Sequence, residues 1–443
     1  MIGSFCRASQ RRAVLFSLAV ICIVLAGCSQ TFRQIAIPLP IQTGDPAPLD
    51  HALFAATGGT SKPGSVTFVD VPGDTNVGQI AVGNNPVHIG LTFGGGRAIT
   101  SNTGDNTITS FQTGITTPST NVTTLPAGAN PVFSHSRQNG KLYVALSGLS
   151  QLGVVDASLA LTGPPVGLGT CSNPVAISQV PNGGNVYVAC NGSANVAEVT
   201  SSDNVFVKNI AVGASPVWID TSSDGKYTFV ANQGGNSVSV ICSTIDISVC
   251  TGDTVISTPG VGGAPAFLRY DAHSQHVYVA GAGFVSIIDA SGITPSFSVL
   301  KTLTGTERLA AGGGCACAFG QTWVTALLDG SRFYVSDQTG KSVSVYSAAN
   351  FAFIKTISLA TTAEPGTTPI MIDSDKNSTK VYTANTGSND FTIIKTFDNT
   401  EVLPQIISGI PARLTPPMLP GCTTPPTPAD ACRQTPTWVV VLP

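Results

Sequence analysis

The most regular stretch of the sequence starts at Pro216 and reads PVWIDTSSDGKYTFVANQGGNSVSVI. Three runs of alternating apolar and polar residues are separated by an Asp-Gly turn and by a Gly-Asn turn. Alternation with a period of two residues, punctuated by turn residues, is typical of antiparallel strands. The pattern therefore predicts three short strands joined by tight turns in this unit.

The same pattern recurs along the chain at intervals of about 42 to 52 residues. Each of the clearest units opens with a proline, and these are Pro86, Pro131, Pro174, Pro216, Pro265 and Pro369. A fourth apolar run is visible in most units, for example VGQIAVG ending at Gly83 and FIKTISLA ending at Ala360. Four short strands and their turns fill such an interval, as they do in the blade of a β-propeller.

Eight second-strand segments can be counted, from ALFAA at Ala52 to KVYTA at Lys380. The first unit lacks a proline-led inner strand, and the terminal TWVVVLP from Thr437 is a good candidate to supply it. Rings of blades commonly close by combining strands from both chain ends, which removes the exposed edge. We therefore predict an all-β fold, a single β-propeller of eight four-stranded antiparallel blades. Seven blades is the alternative if one end unit is only a closing fragment.

The strings PVWIDTSSDGKYTFVAN, KLYVAL, NVYVAC and KVYTAN resemble the YVTN-type β-propeller repeat of bacterial and archaeal surface and periplasmic proteins. The resemblance covers roughly residues 50–400. It departs at a degenerate first unit, at a Gly/Ala/Cys-rich insertion over 304–322 and at a Pro-rich stretch over 404–436. The resemblance implies a fold rather than a chemistry, because propellers host unrelated functions.

The N-terminal segment has the features of an export signal. Arg7, Arg11 and Arg12 precede an uncharged apolar run over 13–26, which is too short to span a bilayer. The following LAGCS resembles the lipobox of bacterial lipoproteins, in which the Cys28 thiol would receive the lipid. By the same resemblance, the residue after Cys28, a serine, implies retention at the outer membrane.

These boundaries predict four segments. Residues 1–27 form a lipoprotein signal peptide, and residues 28–50 form an N-terminal tether. The propeller repeats cover 51–403, and 404–443 is a Pro-rich C-terminal segment with the closing strand at 437–443. We expect a body held at the cell envelope through its N-terminal lipid, on the periplasmic or the surface side.

Composition narrows the possible functions. Only 10% of the residues are charged, with 21 Lys and Arg against 24 Asp and Glu, well below the roughly 25% of an ordinary soluble domain. No basic stripe is present to neutralise phosphates, which argues against nucleic-acid binding. Helical bundles are also disfavoured, because their exposed faces are usually rich in Glu, Lys and Arg.

Eleven cysteines are present, three of them in or next to the signal peptide. An even remainder of eight in an exported protein predicts disulfides. Cys315 and Cys317 are too close to each other for an unstrained bridge, and a metal site there would need two more ligands. Local spacing favours two candidate pairs, Cys242 with Cys250 across a hairpin and Cys422 with Cys432 across a Pro-rich loop. The strand register allows a third, Cys171 with Cys190 on neighbouring strands.

Candidate site residues come from the inner strands, which line the axial channel of a propeller. The fourth residue after the leading proline is ionisable in four units, giving a candidate ring of His135, Asp220, Arg269 and Asp373. This ring is suited to a small polar ligand or an ion. Its alternative explanation is that polar residues face channel water. For Trp218 and Trp323, core packing is expected in preference to ligand stacking.

The sequence contains no nucleophile elbow, no haem-attachment motif and no phosphate-binding loop, and we predict neither a cofactor nor a metal. The first hypothesis is a lipid-anchored binding or scaffolding module with a protein or small polar ligand on one rim. The alternative is a propeller enzyme acting at the channel mouth. It would be a lactonase-like hydrolase using His135, Asp220 and Asp373, or a quinone-type oxidoreductase.

Overall fold

The computed structural model describes residues 50–59, 62–92, 94–115, 118–136, 140–156, 160–181, 184–243, 249–310, 318–359, 368–401 and 434–442. This part of the chain contains 32 strands and one four-residue helix, α1, at Glu307–Ala310. The predicted signal peptide, the lipidation residue Cys28, the tether up to residue 49 and the predicted pair Cys422 and Cys432 lie outside the described residues, as do Cys315 and Cys317.

In chain order the strands are β1 His51–Thr57, β2 Pro63–Asp70, β3 Thr75–Asn84, β4 Pro86–Leu91, β5 Arg97–Asn102, β6 Thr107–Gln112, β7 Asn121–Thr124, β8 Pro131–His135, β9 Leu142–Leu146, β10 Gln151–Val155, β11 Val166–Gly167, β12 Pro174–Gln179, β13 Val186–Cys190, β14 Asn195–Val199, β15 Phe206–Ala211, β16 Pro216–Thr221, β17 Tyr227–Asn232, β18 Ser237–Cys242, β19 Thr254–Ser257, β20 Pro265–Asp271, β21 His276–Gly281, β22 Phe284–Asp289, β23 Val299–Leu303, β24 Thr322–Ala326, β25 Arg332–Asp337, β26 Ser342–Ser347, β27 Phe353–Ser358, β28 Pro369–Ser374, β29 Lys380–Asn385, β30 Asp390–Lys395, β31 Thr400–Glu401 and β32 Thr435–Val441.

These strands form eight four-stranded antiparallel sheets arranged as the blades of a ring. Blade 1 has the order β32-β1-β2-β3, and blades 2 to 8 each use four consecutive strands from β4 onward. Each inner strand contacts the inner strand of the next blade, and β32 contacts both β28 and β4, which closes the ring. The predicted eight-bladed propeller is confirmed, and the seven-bladed alternative is wrong.

The C-terminal strand closes blade 1, as predicted, because β32 pairs antiparallel with β1. It starts at Thr435, and its Pro436 lies in the position of the other leading prolines. A register shift follows Pro436, just as one follows the leading proline of β4, β8, β12, β16, β20 and β28. Proline lacks a backbone N–H and is tolerated in a sheet mainly at such bulges or at strand starts.

The second strand of each blade carries the bulk of the core. Five of its tyrosines are fully buried, because neighbouring blades cover both faces of each sheet, and they are Tyr143, Tyr187, Tyr278, Tyr334 and Tyr382. Buried phenols usually retain a hydrogen-bond partner. The Tyr334 hydroxyl donates to Asn399 Oδ1 at 2.6 Å, and the Tyr187 hydroxyl donates to Asp253 Oδ1 at 2.5 Å.

Two predicted disulfides are confirmed. Cys171 is bonded to Cys190 with a Cα–Cα distance of 5.3 Å, and Cys242 is bonded to Cys250 at 6.1 Å. Both distances lie within the usual range for disulfides. Within the described part of the chain, no helix has the length and apolarity needed to cross a bilayer.

Candidate functional site

Six aromatic rings meet at the axis of the ring. Five belong to the second residue after a leading proline, and Trp323 has the equivalent register in β24, which has no leading proline. We call them the axial cluster, and they are His88, Phe133, Trp218, Phe267, Trp323 and Trp438. The Trp218 and Trp438 rings stack with their centroids 5.8 Å apart and their planes at 18°. These residues come from blades 5 and 1, on opposite sides of an eight-bladed ring. Aromatic side chains therefore fill the axis at this level.

Members of the axial cluster differ in exposure. Phe133 and Phe267 are buried, whereas Trp218, Trp323 and Trp438 remain partly exposed. All three indoles pack against the hydrophobic core clusters of neighbouring blades. The expected core packing of Trp218 and Trp323 is therefore confirmed, but these rings also keep surface that a ligand can reach.

His88 adds no charge to the cluster. Burial, together with a smaller effect of the nearby His135, lowers the pKa of His88 to about 3. Its Nδ1 accepts a hydrogen bond from the backbone N–H of Ser134 at 3.3 Å. His88 is therefore a neutral aromatic residue that ties blade 2 to blade 3.

The candidate ring lies two residues farther along the same strands, so its side chains face the same side of each strand as the axial cluster. Arg269 Nη1 lies 2.6 Å from Asp373 Oδ1, and it also donates to Thr325 Oγ1 at 3.2 Å. These three residues come from the inner strands of blades 6, 8 and 7. The structure thus brings Arg269 and Asp373 into direct contact across the intervening blade.

Both acids of the candidate ring also join adjacent blades. Asp220 Oδ2 accepts the backbone N–H of Tyr270 at 2.9 Å, and Asp373 Oδ2 accepts that of Val441 at 3.0 Å. Each bond runs from one inner strand to the next. Sequence reasoning missed this role, because the partners lie 50 and 68 residues away along the chain.

Electrostatics couple the members of the ring unequally. The Asp373 carboxylate raises the pKa of Arg269 against the opposing effect of burial, and Asp220 adds to the increase. His135 lies at the equivalent position of β8, half-buried, on blade 3. Arg269 and Asp373 form an ion pair, and Asp220 lies one blade away from Arg269.

A metal-dependent reaction would need ligands grouped at one place. Among the described residues, no group of three or more His, Cys, Asp or Glu side chains is placed to hold a metal ion. His135, Asp220 and Asp373, which the lactonase-like hypothesis requires, therefore do not form such a group. The site offers hydrogen-bond donors on Arg269 and partly exposed indole rings of the axial cluster.

In sequence, the chain matches no protein-family model and no curated protein. In structure, it is similar to the dihydro-heme d1 dehydrogenase NirN in complex with DHE, with a TM-score of 0.62 and 14% identity over 82% of this chain and 75% of that one. It is also similar to apo AztD from Citrobacter koseri, with a TM-score of 0.57 and 12% identity over 80% and 94% of the two chains.

A third similar structure is a functionally unknown protein from Desulfotomaculum acetoxidans, with a TM-score of 0.51 and 13% identity over 83% of this chain and all of that one. Identities this low support the fold alone. The ring of blades and its structural neighbours place this chain in the class of β-propeller proteins. Its distinguishing features are the aromatic-filled axis and the Arg269–Asp373 pair beside it.

Proposed function

We propose that this chain is a lipid-anchored binding module of the bacterial cell envelope, which holds a small polar ligand at the axis of its propeller. The observation that carries the proposal is the exposure of the Arg269 side chain and its unused hydrogen-bond donors. Its side chain is 40% exposed inside the ring, and only Nη1 is bonded to the protein among the described residues. Ligand sites are typically concave and largely apolar, with a few placed polar groups.

Binding is favoured over catalysis by the way the acids are used. Asp220 Oδ1 and Oδ2 accept the N–H groups of Thr221 and Tyr270. Asp373 accepts those of Ser374 and Val441 in addition to Arg269. Both carboxylates therefore serve the junctions between blades, and neither is held as a free general base.

Anchoring and family assignment rest on the sequence. The lipobox-like LAGCS supports lipidation at Cys28 and retention at the outer membrane. The strings KYTFVAN and KVYTAN, with their variants KLYVAL and NVYVAC, support a YVTN-type repeat. The asparagines that close the first two strings, Asn232 and Asn385, are buried. A ring attached to the membrane through one lipidated residue is suited to presenting a rim to a soluble ligand or a protein.

Anchoring is tested with the full chain produced in a bacterial host that is fed an alkyne-tagged fatty acid. Wild type should carry the tag and sediment with membranes, whereas Cys28→Ser should do neither. Cys171→Ser, which breaks the Cys171–Cys190 disulfide of the propeller and leaves Cys28 in place, should still be tagged. An untagged wild type would contradict lipid anchoring.

Axial binding is tested by thermal unfolding of the same protein across a library of small polar metabolites. At least one compound should raise the midpoint for wild type, since a ligand that binds only the native state stabilises it. Arg269→Lys should reduce that shift. A compound that stabilises both proteins equally would place its site elsewhere, and a library without any hit would count against a ligand-binding axis.

A further inference from the structure

The axial site has unused hydrogen-bond donors. Within the described residues, Arg269 Nε and Nη2 donate no hydrogen bond, whereas Nη1 donates to both Thr325 and Asp373. A guanidinium carries five N–H donors in a fixed plane. The indole N–H groups of the three tryptophans of the axial cluster also donate to no described residue, and these are Trp218, Trp323 and Trp438.

The acceptors at the same level are already engaged. Each carboxylate oxygen of Asp220 and of Asp373 receives at least one N–H. Asp373 is also only 5% exposed, so little of it remains for a ligand. The group that complements this site therefore offers oxygen acceptors to Arg269 and to the indoles.

Charge decides what kind of acceptor fits. Two carboxylates, Asp220 and Asp373, face one guanidinium, so these three residues carry a formal charge of −1 together. An anion that approaches Arg269 would be attracted by the guanidinium but repelled by both carboxylates. A neutral ligand whose hydroxyl oxygens accept hydrogen bonds avoids this repulsion.

The aromatic surface supplies the second requirement. Partly exposed indole rings favour a ligand with an apolar face, since aromatic side chains contribute large contact areas and the electron-rich faces of their rings attract C–H groups. A pyranose combines a C–H face with a rim of hydroxyls. We propose that the axial site binds a neutral saccharide, which lays its C–H face on the axial cluster and its hydroxyls against Arg269. This inference rests on the proposed ligand-binding function and specifies its ligand class.

Intrinsic fluorescence is a selective probe of this site. The chain has three tryptophans, and all of them belong to the axial cluster. Full-length protein is titrated with glucose, galactose, N-acetylglucosamine and their disaccharides, and with benzoate and inorganic phosphate as anionic probes. At least one saccharide should change the emission with saturation, and isothermal calorimetry should give the same affinity.

Arg269→Lys is the informative variant, because lysine keeps a cation for Asp373 but lacks the planar fork of donors. It should weaken saccharide affinity about tenfold or more, the effect of losing one well-placed hydrogen bond. Arg332→Lys is the matched control, since Arg332 contacts Asn399 in an outer turn of blade 8. Its affinity should equal that of wild type, and thermal unfolding should confirm that both variants are folded.

Three outcomes would overturn the saccharide assignment. Arg269-dependent binding of benzoate or phosphate without saccharide binding would make the ligand an anion, while the proposed axial binding would stand. Saccharide binding of equal strength in wild type and Arg269→Lys would remove Arg269 from the site. The third outcome is that no probe changes the fluorescence although acrylamide quenches it readily. Solvent would then reach the tryptophans, but the axis would not bind saccharides.

Discussion

The corner that follows the second strand is closed by an amide in blade 5 and by an ion pair in blade 7. Asn232 Nδ2 donates to Ser237 Oγ at 3.1 Å and to Ser239 Oγ at 2.9 Å. Asp337, in the same register position of blade 7, accepts instead from the backbone and from Arg308 Nη1, the latter at 3.3 Å. Both corner residues are fully buried. The same position of the repeat can therefore hold a hydrogen-bond donor in one blade and an acceptor in another.

The difference originates in the insertion between blades 6 and 7. Arg308 lies in α1, is only 3% exposed, and its guanidinium lies 4.7 Å from the ring centre of Phe319. This segment thus carries its own cation into the corner. Blade 4 uses a third solution, because Cys190 occupies the corner position and is bonded to Cys171. The repeat requires a closed corner, and the neighbouring segments determine which residue can close it.

The largest effect is expected for Arg308→Met, which leaves the Asp337 carboxylate buried without its cation. Removing one partner of a buried pair costs about 3–5 kcal/mol, so the free energy of unfolding should fall by that amount in urea titrations. Lys301→Met on the exposed face of β23 is the control and should change stability by less than about 0.5 kcal/mol. Equal stability of Arg308→Met and wild type would mean that the pair does not hold the corner.

Removing the blade 4 disulfide should have the next largest effect. Cys171→Ala with Cys190→Ala frees a loop with a sequence separation of 19, for which loss of the cross-link costs about 3 kcal/mol. Thermal unfolding of the double variant should match that of wild type in which this disulfide alone has been reduced. Unchanged stability would show that packing closes this corner without the covalent bond.

Asn232→Ala tests the amide corner of blade 5. It leaves the hydroxyls of Ser237 and Ser239 without their shared donor in a buried site, which should cost about 2 kcal/mol. Gln233→Ala, at the exposed neighbouring position, should be neutral. If the two variants unfold at the same urea concentration, the hydrogen bonds of Asn232 do not contribute to the free energy of unfolding.

Glu198 sharpens the contrast with Asp337, because it is a buried carboxyl whose pKa is raised, whereas Asp337 is paired with Arg308. Burial and the neighbouring Asp253 raise the pKa of Glu198, while Lys208 and the Asn185 amide act in the opposite direction. Stability from protonated Glu198 is complete below the ordinary Glu pKa and is lost as pH rises through the raised value, at about 1.4 kcal/mol per pKa unit.

Glu198→Gln cannot ionise, so it should unfold near the wild-type temperature at pH 4 and above it at pH 8. Thermal unfolding across this range measures the difference. Asp203→Asn, at an exposed site of the following turn, is the control that should follow the wild-type profile in this interval. A pH-independent difference between Glu198→Gln and wild type would contradict ionisation of Glu198 as its cause.

The smallest effect is expected when both partners of the blade 7 pair are replaced. Arg308→Met with Asp337→Asn converts this corner to the form found in blade 5, and Ser342 and Ser344 already lie where Ser237 and Ser239 lie in blade 5. The double variant should recover to within about 1 kcal/mol of wild type in urea titrations, because both charges are gone together. A double variant as unstable as Arg308→Met would show that the insertion, not the charge, holds the corner.

Local patterns were sufficient to predict most of the fold. Strand positions, eight blades as the favoured count over seven, and the closing role of the terminal strand were predicted from period-two alternation, turn residues and leading prolines. Cys171 with Cys190 and Cys242 with Cys250 were predictable because short spacing and strand register limit their partners. The candidate ring was found by aligning the units, which groups equivalent residues without showing which of them touch.

The sequence by itself determined the repeat and the set of residues that can face the axis, because each depends on neighbours within one unit, and it favoured eight blades over seven. Only the tertiary structure decided that Arg269 meets Asp373, 104 residues away, that Trp218 stacks on Trp438, and that Arg308 neutralises Asp337. Ring closure sets these distances, since it brings inner strands from distant units to a common axis, and no local pattern encodes that geometry.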